Sequence, residues 1–168
     1  MNKKIIETPF LEMVLISDSE CLRHADFIYS EESLEPYGEI PMQDDPILLE
    51  AAKQLQEYFS GSRTEFDIPL KVSGTDFQEK VWGVLAAIPY GTVLTYKDIA
   101  QRAGSSKAFR AAGGACKANR ISVIIPCHRV LGSNGSSTGY SGSNTFMKEN
   151  LLSLEEKYGY KGGKSHEN

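Results

Sequence analysis

The chain is 168 residues long, 40% hydrophobic and 24% charged, with a formal net charge of −4. This length allows one domain or two small ones with a sizeable buried core. No run of eighteen apolar residues occurs, and acidic residues interrupt the N-terminus, so we expect neither a membrane span nor a secretory signal. The three cysteines are widely spaced and odd in number, which argues against a disulfide framework or a zinc site and predicts a cytoplasmic protein.

Charge is distributed unevenly along the chain. Residues 1–70 carry fifteen acidic and five basic side chains, net −10, whereas residues 97–129 carry seven basic side chains and one acidic one, net +6. A basic segment of this kind favours an anionic partner such as nucleic acid, although a solvated face beside an acidic one would give the same count.

The first seventy residues predict a small α/β domain. The segments FLEMVLISD and CLRHADFIYS are typical of two adjacent strands, and the acidic, proline-containing stretch after them is typical of a loop. A helix is predicted over PILLEAAKQLQEYFSG, because Asp45 can cap it, Pro46 suits its first turn and Gly61 ends it.

From residue 73 the pattern becomes helical. Thr75 begins a capping box ahead of an apolar stripe, and Thr95 can cap a second helix, Tyr96 to Ala103. A third helix, capped by Ser106, is predicted to run through Ala118. Two short helices joined by a glycine-containing turn predict a helix-turn-helix, with an ordinary helical hairpin as the alternative.

The third helix contains the small-residue run AAGGA at residues 111–115. Each glycine inside a helix costs about 1 kcal/mol relative to alanine, so a compensating contact is expected. A slim helix face permits close approach either to a neighbouring helix or to the minor groove of DNA, which is only about 6 Å wide. The flanking Arg110 and Lys117 favour the polyanion.

The stretch SVIIPCHRVL, residues 122–131, joins an apolar run to a cysteine, a histidine and an arginine. The apolar run predicts a buried strand. A cysteine becomes nucleophilic beside a base or a positive charge, and His128 and Arg129 directly follow Cys127. Adjacent strand residues point to opposite faces, so we expect water to bridge the thiol and the imidazole. A small buried cysteine and a core histidine are the structural alternatives.

A carboxylate is expected to orient this histidine. In the predicted helix NTFMKENLLSLEEKYG, Glu155 follows Leu151 of the apolar stripe by four residues, so it lies at the stripe's edge and needs a partner. Glu149 is the weaker alternative. The tail, residues 159–168, is predicted to be disordered.

Three segments resemble one known family. GTDFQEKVWGVLAAIPYGTVLTY, RAAGGACKANRISVIIPCHRV and GYSGSNTFMKENLLSLE are similar to the methylated-DNA–protein-cysteine methyltransferases, also called O6-alkylguanine-DNA alkyltransferases. The resemblance covers residues 73–156 almost without interruption, while residues 1–72 match loosely. It implies a ribonuclease H-like α/β domain with an antiparallel sheet at 1–72. It further implies a mostly helical, winged-helix-like domain at 73–158, whose helix-turn-helix enters the minor groove.

The chemistry that the resemblance implies is a suicide repair reaction. Family members flip O6-methylguanine, and by the same resemblance O4-methylthymine, out of duplex DNA. They move the alkyl group irreversibly onto a cysteine, so that one chain accepts one group without turnover, cofactor or metal. The expected partner is therefore double-stranded DNA that contains O6-alkylguanine, bound by a monomer with no membrane involved.

The resemblance also assigns roles to single residues. Cys127 would accept the alkyl group, His128 would act as the base through water, Glu155 would orient it, and Asn119 would brace the turn. The flipped guanine would be held by the Tyr96 hydroxyl, the carbonyls of Cys127 and Val130, and the backbone N–H of Ser141. Arg110 would replace the flipped base in the stack, with further DNA contacts from Lys97, Ser105, Ser133, Ala111 and Gly113.

Three other functions compete with this interpretation. A non-catalytic protein that only binds alkylated bases would not need the cysteine. A transcription regulator would carry base-reading side chains on its recognition helix, where this chain has mostly alanine and glycine. A Cys-His hydrolase would not need a basic surface, and it would turn over an ester substrate.

Overall fold

The computed structural model describes residues 1–132 and 145–163, with side chains as far as residue 159. It divides the chain into two compact units. The first comprises Met1–Val72 together with Arg120–Ser122, and the second comprises Ser73–Asn119 together with Val123–Asn168.

The first unit is built on a three-stranded antiparallel sheet. Its strands are β1 (Asn2–Ile6), β2 (Met13–Ser17) and β3 (Leu22–Phe27), in that order. Strand β2 lies in the centre and every one of its residues is buried. The sequence predicts β2 and β3 but not β1, because the two lysines of NKKII hide its alternation. A 3-10 turn, Glu31–Tyr37, occupies the acidic stretch predicted as a loop.

The helix of this unit, α1, runs over Pro46–Phe59 as the sequence predicts. The Asp45 side chain accepts a hydrogen bond from the Leu48 N–H at 2.8 Å, and Pro46 stands in the first turn. Beyond the helix, Gly61 takes a left-handed φ of 89°. Leu48 and Leu55 on the inner face of α1 are fully buried, which closes the core over the sheet.

A distant segment of the chain completes the edge of β3. The Ala25 N–H donates to the carbonyl of Arg120 at 2.9 Å, and the Ser122 N–H donates to the carbonyl of Ala25 at 2.8 Å. Ile121 pairs with Ala25 in a parallel bridge and is fully buried. Residues 120–122, which come just before the PCHRV motif, therefore belong to the first unit.

In its described residues the second unit is mostly helical, with two very short strands. Its elements are α2 (Asp76–Ala86), β4 (Leu94–Thr95), α3 (Tyr96–Arg102), α4 (Phe109–Lys117), a 3-10 turn (Cys127–Arg129), β5 (Val130–Leu131) and α5 (Thr145–Gly163). Strands β4 and β5 pair in parallel. The indole Nε1 of Trp82 on α2 donates to the carbonyl of Ala115 on α4 at 2.8 Å. The predicted fold class, a small antiparallel α/β domain followed by a helical domain, is confirmed.

The sequence predicts a side-chain cap at the start of three helices in the second unit, and two of these caps form. Thr75 and Thr95 both form the predicted capping boxes. The prediction that Ser106 caps the third helix is wrong, because α4 begins at Phe109 after Ala108, which makes no side-chain cap bond. The Ala108 N–H bonds to the Ser105 carbonyl at 3.0 Å, so Ser106 lies inside the preceding turn.

The C-terminal helix is longer than the sequence suggests. Helix α5 continues to Gly163, so it includes the first five residues of the tail predicted to be disordered. Within residues 1–132 and 145–163, no helix has the length and apolar character needed to cross a membrane.

Candidate active site

The segment before Cys127 is not the predicted strand. Val123 has a left-handed φ of 73°, which for a β-branched residue is strained by about 1–3 kcal/mol. The chain then turns through Pro126, and the Cys127 N–H donates to the Ile125 carbonyl at 2.8 Å. We call residues 123–129 the reactive loop. The apolar run predicts burial correctly, since the loop is buried throughout, but not the backbone conformation.

Asn119 joins the two sides of the reactive loop. Its Nδ2 donates to the Ile125 carbonyl at 2.9 Å and lies 3.2 Å from Sγ of Cys127. An N–H donor directed at sulfur stabilises negative charge there, and the thiolate is the nucleophilic form. Cys127 is 5% exposed, so the residue is buried and largely shielded from bulk water.

The imidazole of His128 is buried against the Glu155 carboxylate on α5. Nε2 of His128 lies 2.6 Å from Oε2 of Glu155, and the two side chains are 0% and 1% exposed. Arg129 donates to the same carboxylate through Nε and Nη2, both at 2.9 Å. Glu149, the alternative carboxylate, is exposed. The three side chains form one buried polar network.

The backbone completes this network. The Gly91 N–H donates to Oε1 of Glu155 at 3.3 Å, and Nη1 of Arg129 donates to the Ile88 carbonyl at 2.7 Å. The guanidinium of Arg129 also lies 5.5 Å from the ring centroid of Tyr90. These contacts fix the turn between α2 and β4 to the base of the reactive loop.

The charges of the network set its protonation states. Burial lowers the pKa of His128, although Glu155 opposes that shift. Burial would raise the pKa of Glu155, but the hydrogen bonds from His128 and Arg129, together with the charge of Arg129, outweigh it and hold that pKa well below its usual range. At neutral pH we therefore assign a charged Glu155 and a neutral His128 that donates its Nε2–H, which makes Nδ1 the basic nitrogen.

Lys148 on α5 is a site residue that the sequence reasoning missed. It is fully buried, and its Nζ donates to the Val130 carbonyl at 2.6 Å and to the Tyr96 hydroxyl oxygen at 3.2 Å. Burial lowers the pKa of Lys148, and the nearby thiols of Cys127 and Cys116 oppose that shift. The sequence contained a signal for Lys148. It precedes Glu155 by seven residues and Leu151 precedes Glu155 by four, so all three share one helix face.

The residues expected to hold a flipped base lie around this lysine. Tyr96, at the start of α3, is half-buried, and its ring centroid is 5.4 Å from Nζ of Lys148. The Val130 carbonyl already accepts from Lys148, so one lone pair of that oxygen is left for a base. The Cys127 carbonyl accepts the Val130 N–H. Ser141 lies outside the described residues.

The predicted DNA-contacting residues that the structure describes lie towards solvent on the helix-turn-helix. Arg110 and Ala111 on α4 are exposed, as are Lys97 and Ser105, while Gly113 is half-buried beside the Tyr96 ring. The Arg110 guanidinium lies 5.9 Å from the ring centroid of its neighbour Phe109, which is 46% exposed. Ser133 falls outside the described residues.

Of the seven basic residues counted at 97–129, five are exposed on the second unit, because Arg120 belongs to the first unit and Arg129 is buried. Arg129 is buried and paired with Glu155, so it contributes nothing to the surface. The other basic residues of the predicted segment that belong to this unit are all exposed: Lys97, Arg102, Lys107, Arg110 and Lys117. Among the described residues, no group of three or more His, Cys, Asp and Glu side chains could hold a metal ion.

Comparison with known families decides between the competing functions. The ribonuclease-like domain of 6-O-methylguanine DNA methyltransferase matches residues 1–72, and the DNA binding domain of the same family matches residues 76–157. The chain belongs to the 6-O-methylguanine DNA methyltransferase family. The predicted resemblance is confirmed, and the loosely matching first 72 residues are part of it.

Individual members of the family are similar over almost the whole chain. The methylated-DNA–protein-cysteine methyltransferase of Methanosarcina barkeri is 45% identical, over 93% of this chain and 98% of that protein. The constitutive enzyme of Bacillus subtilis is 43% identical, over 89% and 92%. The crystal structure of Mycobacterium tuberculosis OGT in complex with DNA superposes with a TM-score of 0.83 at 35% identity, over 94% of each chain. The predicted function, an alkyltransferase of DNA repair and not a damage sensor, is confirmed.

Proposed function

We propose that this alkyltransferase repairs O6-methylguanine in duplex DNA by moving the methyl group onto its own Cys127. The observation that carries this proposal is the arrangement around the sulfur. The amide of Asn119 lies 3.2 Å from Sγ, and the next residue, His128, is backed by Glu155 and Arg129 in one buried network. A thiol so placed has an N–H donor for its charged form and a neutral imidazole to take its proton.

The transfer is a single displacement. The thiol proton moves through a water molecule to Nδ1 of His128, and the thiolate attacks the methyl carbon. The new bond joins Sγ of Cys127 to that carbon while the bond from carbon to O6 breaks, and its electron pair stays with guanine. The product is a thioether, which the neighbouring base cannot hydrolyse, so each chain reacts once and needs no cofactor.

The guanine leaving group must be neutralised as the bond breaks. Lys148 carries only donors when charged, so the Tyr96 oxygen accepts from it and the Tyr96 O–H acts as a donor. We assign that O–H to a ring nitrogen of the flipped purine: as O6 becomes a carbonyl, Tyr96 gives its proton to that nitrogen and takes one from Nζ of Lys148, to which it is hydrogen-bonded. The Val130 and Cys127 carbonyls would read the exocyclic amine, and the backbone N–H of Ser141 would meet O6.

Helix α4 is proposed to enter the minor groove. The crystal structure with DNA of the M. tuberculosis relative makes DNA the partner expected here. A Cβ added at Gly114 would meet nothing within 4 Å, so packing inside the protein does not explain this glycine, whereas close approach of a DNA backbone does. Arg110 would fill the gap left by the flipped base, with Lys97, Ser105, Ser133, Ala111 and Gly113 at the phosphates and sugars.

The wider setting of the reaction follows from the same chemistry. One thiol accepts one group without help from a second copy, so we propose that the protein acts as a monomer. Reduced thiols persist in the cytoplasm, which is where we place the reaction. O4-methylthymine presents the same alkyl–oxygen bond and is proposed as a second substrate.

Intact-protein mass spectrometry tests the proposal directly. After incubation with a duplex that contains O6-methylguanine, we expect the chain to gain one methyl group, on the peptide that contains Cys127. Cys127→Ala should gain none and still bind the duplex. Catalytic turnover, or methylation of Cys21 or Cys116 in place of Cys127, would refute the mechanism.

A further inference from the structure

A half-buried carboxylate of the first unit contacts the chain just before the reactive loop. Oδ1 of Asp26, on β3, accepts the Ser122 hydroxyl at 2.9 Å and the Phe27 N–H at 2.8 Å. Ser122 is 2% exposed, and its own N–H is held by the Ala25 carbonyl at 2.8 Å. Both the backbone and the side chain of Ser122 are therefore fixed.

The residue that follows Ser122 needs such a support. Val123 has a φ of 73°, a conformation that is strained for a β-branched residue and persists only where the surrounding structure restrains the backbone. The chain that follows Val123 is held by Asn119, which donates to the Ile125 carbonyl at 2.9 Å and contacts the thiol of Cys127. The hydrogen bonds of Ser122 to Asp26 and Ala25 restrain the chain that precedes Val123. The left-handed turn at Val123 therefore lies between two hydrogen-bonded residues, Ser122 and Ile125.

The presence of a carboxylate at position 26 is not explained by the pairing of the sheet or by the chemistry of the proposed reaction. The segment 120–122 already pairs with Ala25 through two backbone hydrogen bonds. Burial raises the pKa of Asp26, and among the described residues no Lys or Arg nitrogen forms an ion pair with it. Partial burial of a carboxylate costs free energy, which its hydrogen bonds offset. Its presence here therefore calls for a role.

We propose that Asp26 is a positioning residue for alkyl transfer. Through Ser122 it holds Val123 in the left-handed conformation and thereby keeps Cys127 where it reacts. This inference rests on the proposed function, and it gives the first unit a role in the reaction that neither the sequence nor the family membership assigns.

Two serine variants provide a matched test. Ser122→Ala removes the hydroxyl that bonds to Asp26, and Ser17→Ala removes an equally buried hydroxyl that bonds to Asp45 elsewhere in the same unit. We expect single-turnover methyl transfer at saturating DNA to be about tenfold slower in Ser122→Ala, as for loss of one buried hydrogen bond to a carboxylate. Ser17→Ala should react at the wild-type rate, even though both variants melt at lower temperature.

Changes at Asp26 separate the hydrogen bond from general stability. Asp26→Ala should match the rate of Ser122→Ala, while Asp26→Asn keeps an acceptor oxygen and should stay within about threefold of wild type. Alkylation of Cys127 by iodoacetamide, measured without DNA, should be faster in Asp26→Ala than in Ser17→Ala, because the released loop exposes the sulfur. A loss in Asp26→Asn as large as in Asp26→Ala would overturn the proposal.

A double-mutant cycle tests the part played by Val123. Glycine takes a left-handed φ without strain, so in a Val123→Gly background the Asp26→Ala loss should shrink from about tenfold to less than about threefold. Equal losses in both backgrounds would overturn the proposal. If Ser122→Ala and wild type transfer equally fast, the positioning role fails and the proposed function stands. If wild type transfers nothing, the proposed function itself fails.

Discussion

Nε2 of His128 and Oε2 of Glu155 lie 2.6 Å apart, and the same carboxylate is also held by two nitrogens of Arg129. The arginine is what makes this pair useful. Because Arg129 balances the charge of Glu155, the imidazole is not required to be protonated and can remain a base. Without it, a buried carboxylate would favour a charged imidazole, which cannot accept the thiol proton.

Glu155→Gln should slow methyl transfer by at least about tenfold, because an amide orients the imidazole less firmly and does not stabilise its charged form. It should also lower the free energy of unfolding by about 3–5 kcal/mol, since Arg129 loses its buried partner. Single-turnover kinetics and urea unfolding measure the two effects. Glu149→Gln, on the exposed side of α5, is the control and should change neither. A Glu155→Gln rate equal to wild type would remove this carboxylate from the mechanism.

Lys148→Met should slow methyl transfer at saturating DNA, because the Tyr96 hydroxyl loses the donor that directs its own proton. We expect about tenfold, the usual effect of a lost hydrogen bond to a charged group. If the two residues act as one unit, adding Tyr96→Phe to Lys148→Met should cost little more than the slower single variant. Independent, multiplying losses would show that Lys148 acts elsewhere, and Lys157→Met, an exposed lysine of the same helix, should have no effect.

Local signals made much of this fold predictable. Asp45 and Pro46 mark the start of α1, and Thr75 and Thr95 mark the starts of α2 and α3, because each cap bond joins residues three apart. Such contacts need no knowledge of the rest of the chain. Glu155 could be found in the same way, from its place at the edge of an apolar stripe.

What the sequence could not predict depends on distant contacts. An apolar run indicates burial but not backbone conformation, so residues 123–125 are predicted to form a strand although Val123 is held in a left-handed turn. Strand β1 forms because β2 accepts it as a partner, and its own pattern is weak. The bond from Ser122 to Asp26 joins residues 96 apart in the sequence, and no local pattern announces it.

Gly114→Ala and Gly83→Ala form a matched pair for the proposed DNA surface. Both glycines lie within helices, and an added Cβ meets nothing within 4 Å at either position. Each change should therefore stabilise the protein by up to about 1 kcal/mol through helix propensity. Only Gly114→Ala should weaken duplex binding, measured by fluorescence anisotropy, because only α4 is proposed to meet the groove. Equal affinities for the two variants would move the interface away from this face.

His24 should make the first unit sensitive to acid. Burial, and then the positive charge of Arg120, lower its pKa from 6.5 to about 4, and its ring packs on Tyr37, whose hydroxyl lies 3.0 Å from Nε2. Because the pKa of His24 is lower in the folded than in the unfolded protein, protonation favours unfolding. The stability of the fold is therefore unaffected by His24 above pH 6.5 and decreases as the pH falls towards 4.

Lowering the pH from about 7.5 to about 4.5 should therefore cost about 2 kcal/mol of unfolding free energy through His24 alone. His24→Gln cannot take up that proton, so its urea midpoint should fall less over the same range, while the acidic residues and His128 titrate alike in both proteins. An NMR titration of the His24 imidazole checks the cause independently. Parallel pH profiles for wild type and His24→Gln would show that this histidine is not held neutral by the fold.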